Sequence, residues 1–344
     1  MKTRDARYEC LRILAMVFII VHHIALHTNA GEIFSYSENA FLLQYLASFG
    51  KVGVALFMMI SGFFMIRKPM QTKKVLNIVG LAIFYQLFFH FLYILQEGLG
   101  FWSLPQELLK NILELSQYWF IQAYVILFLF SGFLNRGFRA LSKKEFLRLI
   151  GLFFLLFSLF QFFIPMLKNQ IATLLLPYMI GAYLQLYPLK AKNKKKFLAG
   201  FWICSFLLWG SIFFMQHLPK GAFLRNELHY PNIFSINNSP FVVFIAVFLF
   251  LYAQNLSMIP EKASKIINSI SPFMLAVYII HENVWFRSEL LEKKLYHFSD
   301  FHSPFLVIQI LFYTAVVSIV SVGIEKIRYF IKKKIVDTLK TARE

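Results

Sequence analysis

Apolar residues fall into ten long runs along the chain, separated by short polar clusters. Each run has about 18 to 24 residues, the length that an α-helix needs to cross a hydrocarbon core of about 30 Å. The pattern therefore predicts an all-α, polytopic membrane protein with about ten transmembrane helices. The runs occupy residues 8–27, 44–66, 75–95, 118–135, 147–164, 171–189, 197–216, 239–256, 272–288 and 304–325.

The basic residues between these runs predict how the helices are oriented. With the amino terminus placed in the cytoplasm, the inner segments hold 27 of the 35 lysines and arginines. Cytoplasmic loops of membrane proteins carry such an excess. We therefore predict cytoplasmic termini, a transmembrane domain over 1–330 and a basic cytoplasmic tail over 331–344. A cleaved signal peptide is the alternative for the first run, but the adjacent His22 and His23 argue against it.

The first run carries ionisable residues, which are costly inside a membrane and therefore suggest a function. On a helix that turns by about 100° per residue, Arg12 and His23 lie within about 20° of each other. Glu9 and His27 fall on the same side, whereas His22 is turned away by about 100°. A histidine can take a proton from a hydroxyl near neutral pH, and an arginine suits a phosphorylated ligand. Snorkelling of Arg12 and an interhelical hydrogen bond of His23 are the structural alternatives.

Three other runs carry candidate side chains. In SPFMLAVYIIHENVWF, His281 and Glu282 are adjacent at a predicted membrane depth that packing alone explains poorly. In the fourth run, Tyr118 and Trp119 reach the outer interface, where aromatic residues either form the interfacial belt or stack on sugars. In the second run, Lys51 is expected to snorkel. Small residues of this run predict close helix packing; they are Gly50, Gly53, Ser61 and Gly62.

The outer connections add two weaker predictions. The spacing of leucines in 103–117 favours a short amphipathic helix at the interface. The connection 217–238 mixes charged and aromatic residues with prolines, so it is either a solvated loop or a place where a substrate is held.

Composition excludes several other classes of protein. The chain is 58% hydrophobic and 15% charged, with a mean hydropathy of +0.61, far more apolar than a soluble domain. Topology accounts for the net charge of +18, so no nucleic-acid partner is predicted. Cys10 and Cys204 both lie in apolar runs and indicate no disulfide framework. Motifs of nucleotide hydrolysis, zinc proteolysis and serine hydrolysis are missing, and we predict no metal site.

Five segments, in their order along the chain, resemble the integral-membrane acyltransferase 3 family, which O-acylates cell-surface sugars and related acceptors. They are RYECLRILAMVFIIVHH, GKVGVALFMMISGFFM, YWFIQAYVILF, LLLPYMIGAYL and ISPFMLAVYIIH. The resemblance implies that Arg12 and His23 form the essential catalytic pair. It further implies that Glu9 accompanies them and that His281 is another catalytic residue.

The resemblance also implies an acyl-CoA donor on the cytoplasmic side and an acceptor presented from outside. We expect acetyl-CoA or another acyl-CoA as the donor, a sugar or glycolipid as the acceptor, and no permanently bound cofactor. Many members carry a second arginine near the inner end of the second helix, and this sequence departs from that pattern, with Arg67 followed by Lys68 and Pro69. Arg67 is assigned with Arg12 to the donor. Four residues are assigned to substrate binding; they are Tyr118, Trp119, Tyr278 and Glu282.

The predicted function is O-acylation, first of all O-acetylation, in surface polysaccharide synthesis at a bacterial cell membrane. A transporter or flippase of a glycolipid or polysaccharide is the alternative, with the histidines relaying protons. A non-catalytic assembly subunit is a third possibility. The sequence leaves open the acyl group, the acceptor and the oligomeric state.

Overall fold

Helices make up most of the chain that the computed structural model describes, which is residues 4–28, 38–69, 72–98, 117–191, 193–218, 233–295 and 304–341. No strand occurs within these ranges, so the all-α prediction is confirmed. The segment 103–117 and the outer connection 217–238, for which we predicted an amphipathic helix and a polar loop, lie mostly outside the described residues.

Twelve α-helical segments follow one another in the described ranges. They are α1 (Ala6–Thr28), α2 (Glu38–Met65), α3 (Thr72–Glu97), α4 (Trp119–Ala140), α5 (Lys143–Phe154), α6 (Gln170–Leu186), α7 (Lys195–His217), α8 (Pro240–Gln254), α9 (Glu261–Ile270), α10 (Met274–His281), α11 (Val284–Phe286) and α12 (Leu306–Thr341). Short π and 3-10 turns extend α5 to Phe162, join α9 to α10, and continue from α11 to Leu295.

Eight stretches of the described chain are long and apolar enough to cross a membrane. The two remaining predicted runs correspond to α6 and α8, which are apolar but have only 17 and 15 residues. At about 1.5 Å per residue, these two helices are shorter than a hydrocarbon core of about 30 Å. The chain is a multi-pass membrane protein, whereas the number of ten spans and the side of each terminus stay predictions.

Helix α2 lies at the centre of the bundle, is buried along most of its length, and packs against α1, α6 and α8. Glycines let these backbones touch. A Cβ atom on Gly62 would lie 2.0 Å from the carbonyl oxygen of Tyr178 in α6, and one on Gly53 would lie 2.4 Å from that of Ala15 in α1. Close approach through small residues is typical of membrane helices, and the packing role predicted for these two glycines is confirmed.

The ninth span differs from its predicted boundaries. It begins at Glu261, because Ser271 and Pro272 form a 3-10 turn between α9 and α10 instead of starting a helix. Helix α10 then ends at His281, and the side chain of Asn283 caps the next short helix by accepting a hydrogen bond from a backbone N–H. This break in the helix places His281 and Glu282 at a helix end.

Helix α12 runs through residues 330 and 331 without interruption. The predicted division between the transmembrane domain 1–330 and the tail 331–344 is therefore not marked by a change in the backbone. The cytoplasmic position of the tail stays a prediction.

Candidate active site

His23 of α1 meets the end of α10 inside the bundle. Its Nδ1 atom lies 2.9 Å from Nε2 of His281 and 3.0 Å from Oε2 of Glu282. His281 is fully buried, and the other two residues are less than a tenth exposed. We call these three residues the histidine cluster. The cluster forms because α10 ends at His281, so that two adjacent polar side chains of the helix end can both face α1.

The hydrogen bonds of the cluster fix which nitrogens carry protons. Nδ1 of His281 lies 2.6 Å from the carbonyl oxygen of Val277, which can only accept, so this nitrogen carries the proton. Nε2 of His281 is then an acceptor, and it accepts a hydrogen bond from the protonated Nδ1 of His23. Nε2 of His23 is left with a free lone pair, the form that a general base needs.

Glu282 is held in place by a cation, Arg287, and by a further histidine, His27. Its Oε1 atom lies 3.4 Å from Nη1 of Arg287, and its Oε2 atom lies 3.6 Å from Nε2 of His27. Arg287 also pairs with Glu292 at 3.1 Å. A carboxylate so placed next to Nδ1 of His23 stabilises the imidazolium that forms when His23 takes a proton.

Arg12 and Glu9 form a separate pair nearer the amino end of α1. Nη1 of Arg12 donates to Oε2 of Glu9 at 2.8 Å. Glu9 is buried with 4% of its surface exposed, whereas Arg12 is only half-buried. Eleven residues separate Arg12 from His23, about 16 Å along the helix. Glu9 therefore orients the guanidinium and does not reach the histidine cluster.

Arg12 lines a cavity of about 250 Å³ between α1, α2, α3, α4 and the turn before α10. Arg4 and Lys74 bring two more cations to it, and the hydroxyls of Ser61 and Tyr124 lie 3.5 Å apart on its wall. Ser61, which we had assigned to helix packing, therefore lies on the wall of this cavity. The other lining residues are Phe57, Ile60, Phe64, Met65, Ile78, Ser271, Pro272 and Leu275.

Three aromatic rings connect this cavity with the histidine cluster. Phe57 lines the cavity and lies 5.7 Å from Phe120, measured between ring centroids. Phe120 lies 5.5 Å from Tyr278, whose ring is 6.3 Å from that of His23 and 6.0 Å from that of His281. We call these three side chains, Phe57, Phe120 and Tyr278, the aromatic layer. All three are at least nine-tenths buried.

A comparison with protein families decides which class of enzyme this arrangement belongs to. The model described as "Acyltransferase domain" for acyltransferase 3 matches residues 5–324, which include Arg12, the cavity and the histidine cluster. The chain belongs to the acyltransferase 3 family. It is thus a membrane acyltransferase, as its sequence predicted. Neither a curated protein nor a solved structure matches the chain.

The residues that we predicted to bind substrate or donor differ in how close they lie to the histidine cluster and the cavity. Tyr278 contacts both histidines, whereas Tyr118 is fully buried, and its hydroxyl donates to the carbonyl oxygen of Ile279 at 3.1 Å. Trp119 is partly buried and packs edge-on against Phe120. Arg67 is exposed just beyond the end of α2 and does not line the cavity. Their predicted contacts with substrates stay predictions.

Sequence reasoning missed a set of amides that supports the break after α10. Asn283 donates to the hydroxyl of Tyr118 at 3.0 Å, and its amide also lies 3.5 Å from the side-chain oxygen of Gln86. Gln117 donates to that same oxygen and accepts from the backbone N–H of Val284. The sequence did offer a signal: Gln86, Gln117 and Asn283 are amide side chains within or next to apolar segments, and polar side chains in membrane bundles usually hydrogen-bond to one another.

The histidine cluster also has the spacing of a metal site. One donor atom from each of its three residues lies within 4.8 Å of the others. A metal on Nδ1 of His23 would displace the proton that this atom donates to His281, so metal binding and the base form exclude each other. We expect EDTA to leave acyl transfer unchanged and added Zn²⁺ to inhibit it reversibly. Transfer that is lost in EDTA and restored by Zn²⁺ would instead make the cluster a metal centre.

Proposed function

We propose that this acyltransferase moves an acyl group, in the first place acetyl, from cytoplasmic acyl-CoA to a hydroxyl of a sugar. The sugar is extracytoplasmic or lipid-linked and belongs to a surface polysaccharide of a bacterial cell. The observation that carries the proposal is that one helix, α1, presents a basic cavity near its amino end and a polarised histidine farther along. These two features are what a phosphorylated donor and a hydroxyl acceptor require.

The donor phosphates bind the cations at the edge of the cavity. Arg4, Arg12 and Lys74 together supply three positive charges, and Glu9 neutralises part of one. Guanidinium groups suit phosphate because they donate two parallel hydrogen bonds. A volume of about 250 Å³ is below the ~300–1,000 Å³ of most small-molecule sites, so the cavity holds only part of an acyl-CoA.

The pantetheine arm then extends from the cavity toward the histidine cluster. Ser61 and Tyr124 place two hydroxyls on the cavity wall for the amides of the arm; the Ser61 hydroxyl already donates to the carbonyl oxygen of Phe57, so its oxygen accepts from an amide N–H. The thioester has to pass the aromatic layer to reach His23. Side-chain rotation of Phe120, which packs between Phe57 and Tyr278, opens that passage.

At the histidine cluster, Nε2 of His23 takes the proton of the acceptor hydroxyl as its oxygen attacks the thioester carbonyl carbon. Glu282 stabilises the resulting imidazolium, and His281 keeps the ring in the required tautomer. When the carbon–sulfur bond breaks, His23 returns the proton to the CoA thiolate. The products are the O-acylated sugar and free CoA, and the enzyme is unchanged.

The test uses the purified protein in lipid nanodiscs with radiolabelled acetyl-CoA and a glycolipid extract from the source cells. We expect label in the glycolipid and saturable stabilisation by acetyl-CoA, since a ligand at 100 times its Kd adds about 2.7 kcal/mol. Stabilisation by glycolipid alone, with no label transferred, would favour the transporter. Mass spectrometry of the envelope glycans of a deletion strain then identifies the acceptor by the ester that is lost.

A further inference from the structure

Lys51 of α2 does not snorkel but lies against α1 next to the histidine cluster. It follows Gly50, where a Cβ atom would lie only 2.2 Å from Cβ of His22, so the two helices touch at this level. The ammonium nitrogen of Lys51 lies 3.3 Å from Nε2 of His22, and the lysine is half-buried. The contact directs the lysine into the protein, in contrast to our prediction.

His22 holds this ammonium without neutralising it. Nδ1 of His22 lies 2.8 Å from the carbonyl oxygen of Ala47, which can only accept, so Nδ1 carries the proton. The lone pair of Nε2 therefore accepts a hydrogen bond from the Lys51 ammonium. A neutral imidazole fixes the direction of the lysine but supplies no negative charge.

Lys51 differs from Arg287, the cation that contacts the histidine cluster, in its counter-ions. Arg287 pairs with both Glu282 and Glu292, whereas Lys51 has no carboxylate within 4.0 Å in the part of the chain that the structure describes. A half-buried ammonium without a counter-ion is costly because it has lost part of its hydration. Such a group is suited to bind an anion that is present only during the reaction.

We infer that Lys51 is a catalytic residue that stabilises the oxyanion formed on the thioester carbonyl oxygen. The inference rests on the proposed function, in which the attack of the acceptor oxygen places a negative charge on that atom. His22 directly precedes His23 and their ring centroids are 5.2 Å apart, so the ammonium that His22 holds lies at the same level of α1 as the base on His23. The ammonium donates a hydrogen bond to the oxyanion, keeps its proton, and releases the oxygen when the CoA thiolate leaves.

The experiment compares Lys51→Met, which removes the charge, with Lys51→Arg, which keeps it, in nanodiscs. Lys265→Met is the matched control, since Lys265 is exposed and pairs with Glu261 in the same helix. We expect Lys51→Met to lower kcat about 10²- to 10³-fold, as the loss of one oxyanion donor does. The factor should be equal for transfer to glycolipid and for hydrolysis of acetyl-CoA by water, because both reactions form the same oxyanion. Lys51→Arg should recover part of the rate, and Lys265→Met should retain all of it.

Two results would overturn the inference. One is an unchanged kcat of Lys51→Met for both transfer and hydrolysis. The other is unchanged hydrolysis together with a raised KM for the acceptor in transfer, which would assign Lys51 to an anionic group of the acceptor. Binding of acetyl-CoA and the melting temperature show whether each variant is folded. His23→Ala separates this inference from the proposed function, since an inactive His23→Ala beside a fully active Lys51→Met refutes the role of Lys51 alone.

Discussion

Replacing His23 by alanine is expected to lower the rate of acyl transfer by about 10²- to 10⁴-fold, the usual contribution of a general base. The reason is the direction of the hydrogen bonds in the histidine cluster: Nδ1 of His23 carries the proton and faces His281 and Glu282, which leaves Nε2 of His23 as the free acceptor. Transfer of label from acetyl-CoA to glycolipid measures the effect. The KM for acetyl-CoA should change little, because the donor phosphates bind about 16 Å away along α1.

His217→Ala is the matched control for this experiment. His217 is exposed at the end of α7 and packs on Phe213 of its own helix, so its loss should leave transfer unchanged. A folded His23→Ala variant that transfers acyl groups at the normal rate would remove His23 from the chemistry. It would leave the cluster as an interhelical hydrogen bond between α1 and α10.

Replacing Arg12 by methionine is expected to act on both donor binding and stability. Loss of a hydrogen bond to a charged phosphate, worth about 1.5–3 kcal/mol, should raise the KM for acetyl-CoA roughly 10- to 100-fold. The same change leaves the buried Glu9 without its partner, which should cost about 3 kcal/mol of unfolding free energy. Steady-state kinetics and thermal unfolding in nanodiscs measure the two effects separately.

The double variant Glu9→Gln with Arg12→Met distinguishes these effects. It carries no unpaired charge, so its melting temperature should return toward the original value. Its KM for acetyl-CoA should stay high, because the guanidinium is still missing. A double variant that binds acetyl-CoA normally would show that Arg12 acts only as the partner of Glu9.

The helices were predictable because each apolar run has the length that a membrane-spanning helix needs. The polar side of α1 was also predictable, since helical geometry alone places Arg12 and His23 on one face. Boundaries failed where local chemistry overrides the pattern. The predicted start at Pro272 is instead the first turn of a 3-10 helix that joins α9 to α10, a position where the missing N–H of proline costs little, so the span continues back to Glu261.

Contacts between distant parts of the chain could not be obtained from the pattern. His23 and His281 are 258 residues apart, and only the packing of α10 against α1 brings them together. Ser61 has the size of a packing residue but lies on the cavity wall, because the neighbouring Gly62 makes the close contact with α6. Lys51 was predicted to reach outward because its sequence neighbours do not reveal that His22 accepts a hydrogen bond from its ammonium group.

The aromatic layer also bears on the energy supply of the cell. An enzyme that takes a water-soluble donor from one side and reaches an acceptor on the other would short-circuit the proton gradient if water filled its path. Phe57, Phe120 and Tyr278 are at least nine-tenths buried, and Phe120 contacts both of the others. In the proposed reaction their rings would interrupt a chain of water molecules, so that an acyl group could cross while the membrane stays electrically insulating.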